Sequence, residues 1–169
     1  MNGAKFSNAM VRDFFVRHFQ GLGSYKRIIK AFVDTILPAK SYSQHGEDIY
    51  VWTFLSGLGL LSGVYVDVGA NHPTSISNTY LFYRKGYRGI IIEPNVELAR
   101  LHPFFRKNEK TLQIGIGDKR GIFEFNITKT PVLSSFRQVD KALFWKNQYV
   151  PVLTLDDVID SLNPDRIFF

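Results

Sequence analysis

Apolar residues recur along this chain in more than one rhythm. Over the first forty residues the rhythm is helical. Phe14, Phe15, Val16 and Phe19, then Ile28, Ile29, Phe32, Val33, Ile36 and Leu37, fall near helical spacing, and Pro38 ends the run. Lys26, Arg27 and Lys30 lie between the apolar positions. The pattern predicts an N-terminal helical extension over residues 1–40, suited to packing on a domain, docking a partner or resting on a membrane surface. Ser41 to Leu55 predicts a second helical unit. Ser43 is its expected N-cap, with Glu47 and Asp48 in the first turns, where the helix dipole favours acids.

From Val64 onward, short β-rich runs alternate with helical ones. Val64–Val68, ending in Gly69, predicts a strand, and Ser77–Lys85 a helix stopped by Gly86. Gly89–Glu93 predicts a strand buried on both faces and stopped by Pro94. Val96–Asn108 predicts a helix that Pro103 kinks or restarts, and Leu112–Ile116 a third strand. This order implies a parallel sheet with right-handed crossovers. Ile122–Ile127 and Gln148–Leu153 then predict strands around a long polar segment. Thr154 caps a short helix with Asp156 and Asp157 in its first turn, and Asn163-Pro164 is a turn. Arg166–Phe169 opens another apolar strand. Ending there, at a core position, reads as a truncated or fragmentary domain.

Composition narrows the picture. Of 169 residues, 45% are hydrophobic and 15 are Phe, which excludes disorder as the main state. Lys and Arg number 21 against 15 Asp and Glu, a net +6. That excess suits an anionic partner such as a nucleotide-sugar, a glycan or a membrane surface, and equally an ordinary basic surface. Nucleic acid is not among the expected partners, and oligomeric state is left open. The absence of Cys excludes disulfides, zinc-thiolate sites and thiol nucleophiles, and fits a cytoplasmic location. Lys5, Arg12, Asp13 and Arg17 interrupt any secretory apolar core. Ile49–Val66 carries no charge and approaches the roughly 17–25 residues of a membrane-spanning helix. Gly57, Gly59 and Gly63 break it, so it predicts a helix end, a turn and a buried strand rather than a transmembrane segment. Asn126-Ile127-Thr128 matches a glycosylation sequon, a pattern common by chance.

The candidate chemistry sits at strand ends. Val66-Asp67-Val68-Gly69-Ala70-Asn71 places an acid, then a tight loop, at the carboxyl edge of the sheet, where open α/β sheets bind ligands. The next strand ends in Glu93, whose two oxygens match a vicinal diol such as a ribose. After the third strand comes Gly117-Asp118, suited to an adenine edge or to a β-turn with Lys119-Arg120-Gly121. A dinucleotide site wants G-x-G-x-x-G for a pyrophosphate on a helix N-terminus; Asn71 and Pro73 replace those glycines. S-adenosylmethionine has no phosphate and needs a loop and a carboxylate, so the loop favours it over NAD. His72 and His45 are the titratable candidates for taking an acceptor proton, or else residues making local hydrogen bonds. Gln44 and Asp48 read equally as ligand contacts or as helix-start chemistry. Ser134-Ser135-Phe136 lies in a segment placed to cover the site, and Phe104, Phe105, Phe144 and Trp145 suit core or docking surface better than ring stacking.

Several of these segments together resemble the FkbM family of methyltransferases. They are Val64–Pro73, Ser77-Asn78-Thr79, Ile92-Glu93-Pro94-Asn95, Gly115–Asp118 and Val152–Asp157, preceded by Ser41–Asp48. The resemblance covers roughly Ser41 to Phe169. It implies an α/β fold with a Rossmann-like class I methyltransferase parallel sheet, preceded by N-terminal helices, with residues 41–169 as a partial methyltransferase domain. It also implies S-adenosylmethionine as cofactor and methyl transfer to a hydroxyl of a sugar, glycan or natural product. Asp67, Gly69, Ala70 and Asn71 would lie at the cofactor's methionine end, Glu93 at its ribose and Asp118 near its adenine. Where the family continues from the Phe168-Phe169 strand into Asp-x-Glu-Gly, this sequence has nothing, so the fold is expected to be incomplete at the C-terminus. The alternatives are an NAD-dependent oxidoreductase or epimerase and an inactive methyltransferase fragment.

Overall fold

The run Gly89-Ile90-Ile91-Ile92, apolar on both faces, forms the middle strand of a parallel sheet. In the computed structural model, residues 41–163 and Ile167 are described; they fall within one unit, Ser41–Phe169. The helical pattern of residues 1–40 lies outside the described residues. In chain order the elements are α1 (Glu47–Gly57), β1 (Val64–Val68), α2 (Tyr80–Arg84), β2 (Arg88–Ile92), α3 (Val96–Ala99), α4 (His102–Phe105), β3 (Lys110–Leu112), β4 (Gly115–Ile116), β5 (Gly121–Thr128), a 3-10 turn (Pro131–Leu133), β6 (Phe144–Leu153) and α5 (Leu155–Leu162).

The first sheet has the order β1-β2-β3, all parallel. Val66 lies opposite Ile90, and Ile91 opposite Thr111. Ile167 forms a parallel bridge to Val64 on β1. Successive strand residues face opposite sides, so β2 feeds two cores. Ile91 packs with Tyr42, Leu55 of α1, Tyr65, and Tyr80, Leu81 and Phe82 of α2. Ile90 and Ile92 pack with Val66, Leu112, and Val158 and Leu162 of α5. Each such isoleucine withdrawn from water contributes on the order of 2 kcal/mol. The second sheet has the order β4-β6-β5, with β4 parallel and β5 antiparallel to β6.

The local signals explain the element ends. Gly86, at φ 98°, terminates α2. Pro103 sits in the first turn of α4, so the helix expected over 96–108 is two short helices. Thr154 caps α5 in a reciprocal capping box with Asp157, and Asn163 closes it at φ 39°. The stretch Ile49–Val66 resolves into α1, a turn and β1. Among the described residues no helix is long and apolar enough to cross a membrane.

Some expectations need correction. The cap of α1 is Gly46, at φ 88°, not Ser43. The Ser43 hydroxyl instead serves Asp48, donating to Oδ1 at 2.9 Å and accepting its N–H at 3.4 Å. Buried Asp48 also accepts from Ser41 Oγ at 2.6 Å and Tyr42 N–H at 2.7 Å, which is helix-start chemistry. Helix α2 starts at Tyr80 rather than Ser77, because Ser77 Oγ accepts the N–H groups of Thr79 and Tyr80. The expected strand Leu112–Ile116 is two pieces: β3 pairs with β2, while β4 is drawn onto β6.

Candidate functional site

Between the carboxyl ends of β1, β2 and β4 and the strap of residues 131–137 lies a cleft of ≈ 380 Å³. Small-molecule pockets typically span about 300–1,000 Å³. One wall carries Gly69, Asn71, Glu93 and Pro94; the other carries Ser134, Ser135, Phe136 and Arg137. The strap is tied to β5 by paired backbone hydrogen bonds between Asn126 and Ser135 at 2.8 and 3.0 Å. The Asn126 side-chain amide also donates to the Arg137 carbonyl at 3.2 Å, so this sequon asparagine braces the strap. The second sheet is fixed to the end of β2 by Gln148. Its amide donates to the Pro94 carbonyl and accepts the Val96 N–H at 3.4 Å.

The loop after β1 turns at Gly69, whose φ of 72° suits glycine, and a side chain added there would meet open space. Gly69 and Ala70 both donate N–H groups to the Ile92 carbonyl, at 2.8 and 3.2 Å, which ties the loop to β2. Asn71 then adopts φ 54°, a left-handed conformation uncommon outside glycine.

Glu93 is buried at 4% exposure, and its carboxylate lies on the cleft wall. Oε2 accepts the Asn71 N–H at 2.6 Å and Oε1 the Asn95 N–H at 2.8 Å. Burial pushes its pKa up to about 7, against the lowering effect of those two hydrogen bonds. Each oxygen has further acceptor capacity.

The other expected site residues are distributed around this point. Gly69 and Asn71 line the cleft, while Ala70 is buried in the core beneath it. The Asp67 carboxylate is taken up by the Thr79 hydroxyl, and it is not part of the cleft wall. Loss of hydration pushes the Asp67 carboxyl up, with the Thr79 hydrogen bond and the Arg106 charge opposing. Asp118 lines a smaller depression of ≈ 190 Å³ with Gly117, Lys119 and Phe123. The two depressions share Ile116 and Phe136. His72 is buried, and its Nδ1 accepts the N–H groups of Thr74 and Ser75 at 3.3 and 3.1 Å, the local-bonding alternative. His45 and Gln44 are exposed, and none of Gln44, His45 and His72 belongs to the cleft wall.

Two buried residues escape sequence reasoning. His102 and Arg106 are both wholly inaccessible. His102 Nε2 lies 3.0 Å from the Asn71 carbonyl oxygen. Arg106 donates from Nε to the Pro73 carbonyl at 2.6 Å, and from its two terminal nitrogens to Ser77 Oγ at 2.5 Å and Thr79 Oγ1 at 2.8 Å. It also pairs with Glu109 at 3.7 Å, which accepts the Tyr65 hydroxyl. The available signal is periodic: Leu98, His102 and Arg106 follow one another at helical spacing, continuing a buried face.

The sequence model of the methyltransferase FkbM domain family matches residues 67–169, beginning at Asp67 and including Glu93, Asp118 and the β5–β6 hairpin. No curated protein and no solved structure matches the chain. The match takes in more than half of the sequence and the whole cleft: this chain belongs to the FkbM methyltransferase family.

Proposed function

We propose that the chain binds S-adenosylmethionine in the cleft at the carboxyl edge of the first sheet, and that the methyl acceptor is a hydroxyl of a sugar, glycan or related natural product. The observation that carries this reading is Glu93. A buried carboxylate, fixed through both oxygens by backbone N–H groups, lies on the cleft wall with acceptor capacity to spare. Two adjacent hydroxyls of a ribose suit it.

The residues fit this cofactor better than a dinucleotide. Residues 69–79 separate β1 from α2, in place of the tight turn straight into a helix that a pyrophosphate site uses. Asn71 and Pro73 crowd the loop where a phosphate-binding turn carries glycine. Family membership likewise favours methyl over hydride transfer.

In this reading Gly69 and Asn71 face the cofactor's methionine end, with Ala70 packing the loop onto the core. Glu93 orients the ribose, and Asp118 meets the adenine edge where the two depressions join. Asp67 acts through Thr79 on the loop. When bound, the cofactor supplies an electrophilic methyl group. The chain's contribution is to hold it in line with an acceptor and keep the adenosine end out of water. His72 and His45 lie outside the cleft wall.

Isothermal titration tests the reading. S-adenosylhomocysteine is expected to bind and NAD is not; heat with NAD alone would reverse the assignment.

A further inference from the structure

The cleft's geometry depends on a short loop in an unfavourable conformation. Asn71 sits at φ 54° and Ile76 at φ 54°, both left-handed. Such residues persist only where their surroundings over-determine them. Backbone bonds hold the loop at its two ends, Gly69 and Ala70 on the Ile92 carbonyl and Ser77 on the Tyr42 carbonyl at 2.8 Å, and His72 Nδ1 accepts the N–H groups of Thr74 and Ser75 between them.

Side chains from the first residue and the C-cap of α4 complete the restraint. His102 and Arg106 stand one turn apart, both wholly buried and both absent from the cleft wall. His102 Nε2 meets the Asn71 carbonyl at 3.0 Å, and Arg106 Nε meets the Pro73 carbonyl at 2.6 Å. The remaining arms of Arg106 reach Ser77 and Thr79, and Thr79 holds Asp67. Burial and the neighbouring Arg106 charge lower the His102 pKa to about 3, so the ring is neutral at ordinary pH. Since a carbonyl only accepts, the single ring proton lies on Nε2, and His102 donates.

The Asn71 residue is thus gripped on both sides. Its N–H is held by Glu93 and its C=O by His102. A displacement at His102 is passed through this one residue to the carboxylate on the cleft wall.

We propose that His102 and Arg106 are positioning residues that set the cofactor loop, and through Asn71 set Glu93, without touching the ligand. This deepens the cofactor reading and rests on it only for the affinity readout. An isosteric apolar side chain at His102 removes the donor and leaves the Asn71 carbonyl unmet. A glutamine carries an amide donor at similar reach.

The experiment uses the full chain with His102→Leu, His102→Gln and Arg106→Lys. S-adenosylhomocysteine affinity is measured by titration from pH 6 to 8, and backbone amide exchange is followed across residues 69–79. His102→Leu and Arg106→Lys are each expected to weaken binding by about tenfold, the worth of one hydrogen bond to an unmet buried group. His102→Gln is expected to restore most of it. In His102→Leu the pH midpoint set by Glu93 is expected to fall toward an ordinary carboxylate value, as water reaches the loosened loop, while amide exchange at 69–79 speeds up. Parental affinity and parental exchange in both His102→Leu and Arg106→Lys would overturn the proposal while leaving the cofactor reading intact. If the parent chain binds no S-adenosylhomocysteine, the cofactor reading fails, and the exchange rates alone decide whether these residues hold the loop. Unfolding of one variant leaves the decision to the other two.

Discussion

The Glu93 carboxylate accepts the backbone N–H of Asn71 at 2.6 Å, across the gap between the ends of β2 and β1. That bond joins the two strand ends that frame the cleft. It also places a buried acid where a ligand's hydroxyls would meet it, and its consequences can be measured.

Affinity should depend on pH. Burial raises the Glu93 pKa to about 7 from an ordinary 4.5. Ribose hydroxyls donate to the ionised form, so binding favours loss of the proton. S-adenosylhomocysteine affinity is expected to rise from pH 6 to pH 8, with proton release detectable in buffers of different ionisation enthalpy. For folding alone the sign is opposite. The folded chain holds the extra proton, so this group's stabilising contribution is full below pH 4.5 and is lost as the pH rises through 7. A Glu93→Gln variant should lose the pH dependence of binding.

Arg106 should be a stability hot spot. Replacing it with Met leaves Glu109 in the interior without its cation and removes the charge that opposes the desolvation of Asp67; breaking a buried pair costs about 3–5 kcal/mol. Denaturant titration is expected to show that loss. Lys retains the charge but not the fork that serves several acceptors together, so Arg106→Lys should also destabilise.

Two glycines should respond differently to alanine. At Gly89 a Cβ would stand 2.1 Å from the ring of Tyr65, which is fully buried and clasped by Glu109. Gly89→Ala is expected to cost about 1–3 kcal/mol or more through overpacking. At Gly115 a Cβ would stand 2.4 Å from the Phe136 ring, which is 36% exposed and packs on Phe125, and 3.1 Å from Val152. Gly115→Ala should leave stability within about 1 kcal/mol while changing cofactor affinity, since Phe136 lines both depressions. Thermal melts and titration separate the two effects.

Thr154→Ala should cost about 1 kcal/mol of stability by removing the capping box of α5. Thr154 lines neither depression, so cofactor affinity is expected to hold in the same titration.

The parts of the fold that local chemistry dictates were readable from the chain. Ile90–Ile92 can only be a strand buried on both faces, Gly86 stops α2, and Pro103 splits the helix before β3. The split between β3 and β4 was not readable, because it depends on β6, some thirty-five residues downstream, pairing with Gly115 and Ile116. The site was legible in part. Glu93, Gly69 and Asn71 follow from a strand end and a tight loop, and the structure sets them on one wall. Asp118 lies one depression away because the β5–β6 hairpin places Phe136 between the two. His102 and Arg106 were not singled out, because charge and burial are rarely joined; the loop carbonyls they meet account for their position.

The most direct test concerns Glu93 itself. Titration of the parent and of Glu93→Ala with S-adenosylhomocysteine should show affinity lower by about 1–3 kcal/mol in the variant, the cost of leaving buried ribose hydroxyls unmet. Equal affinities, in a variant that still folds, would contradict the account, because the ligand would then lie elsewhere than against this carboxylate.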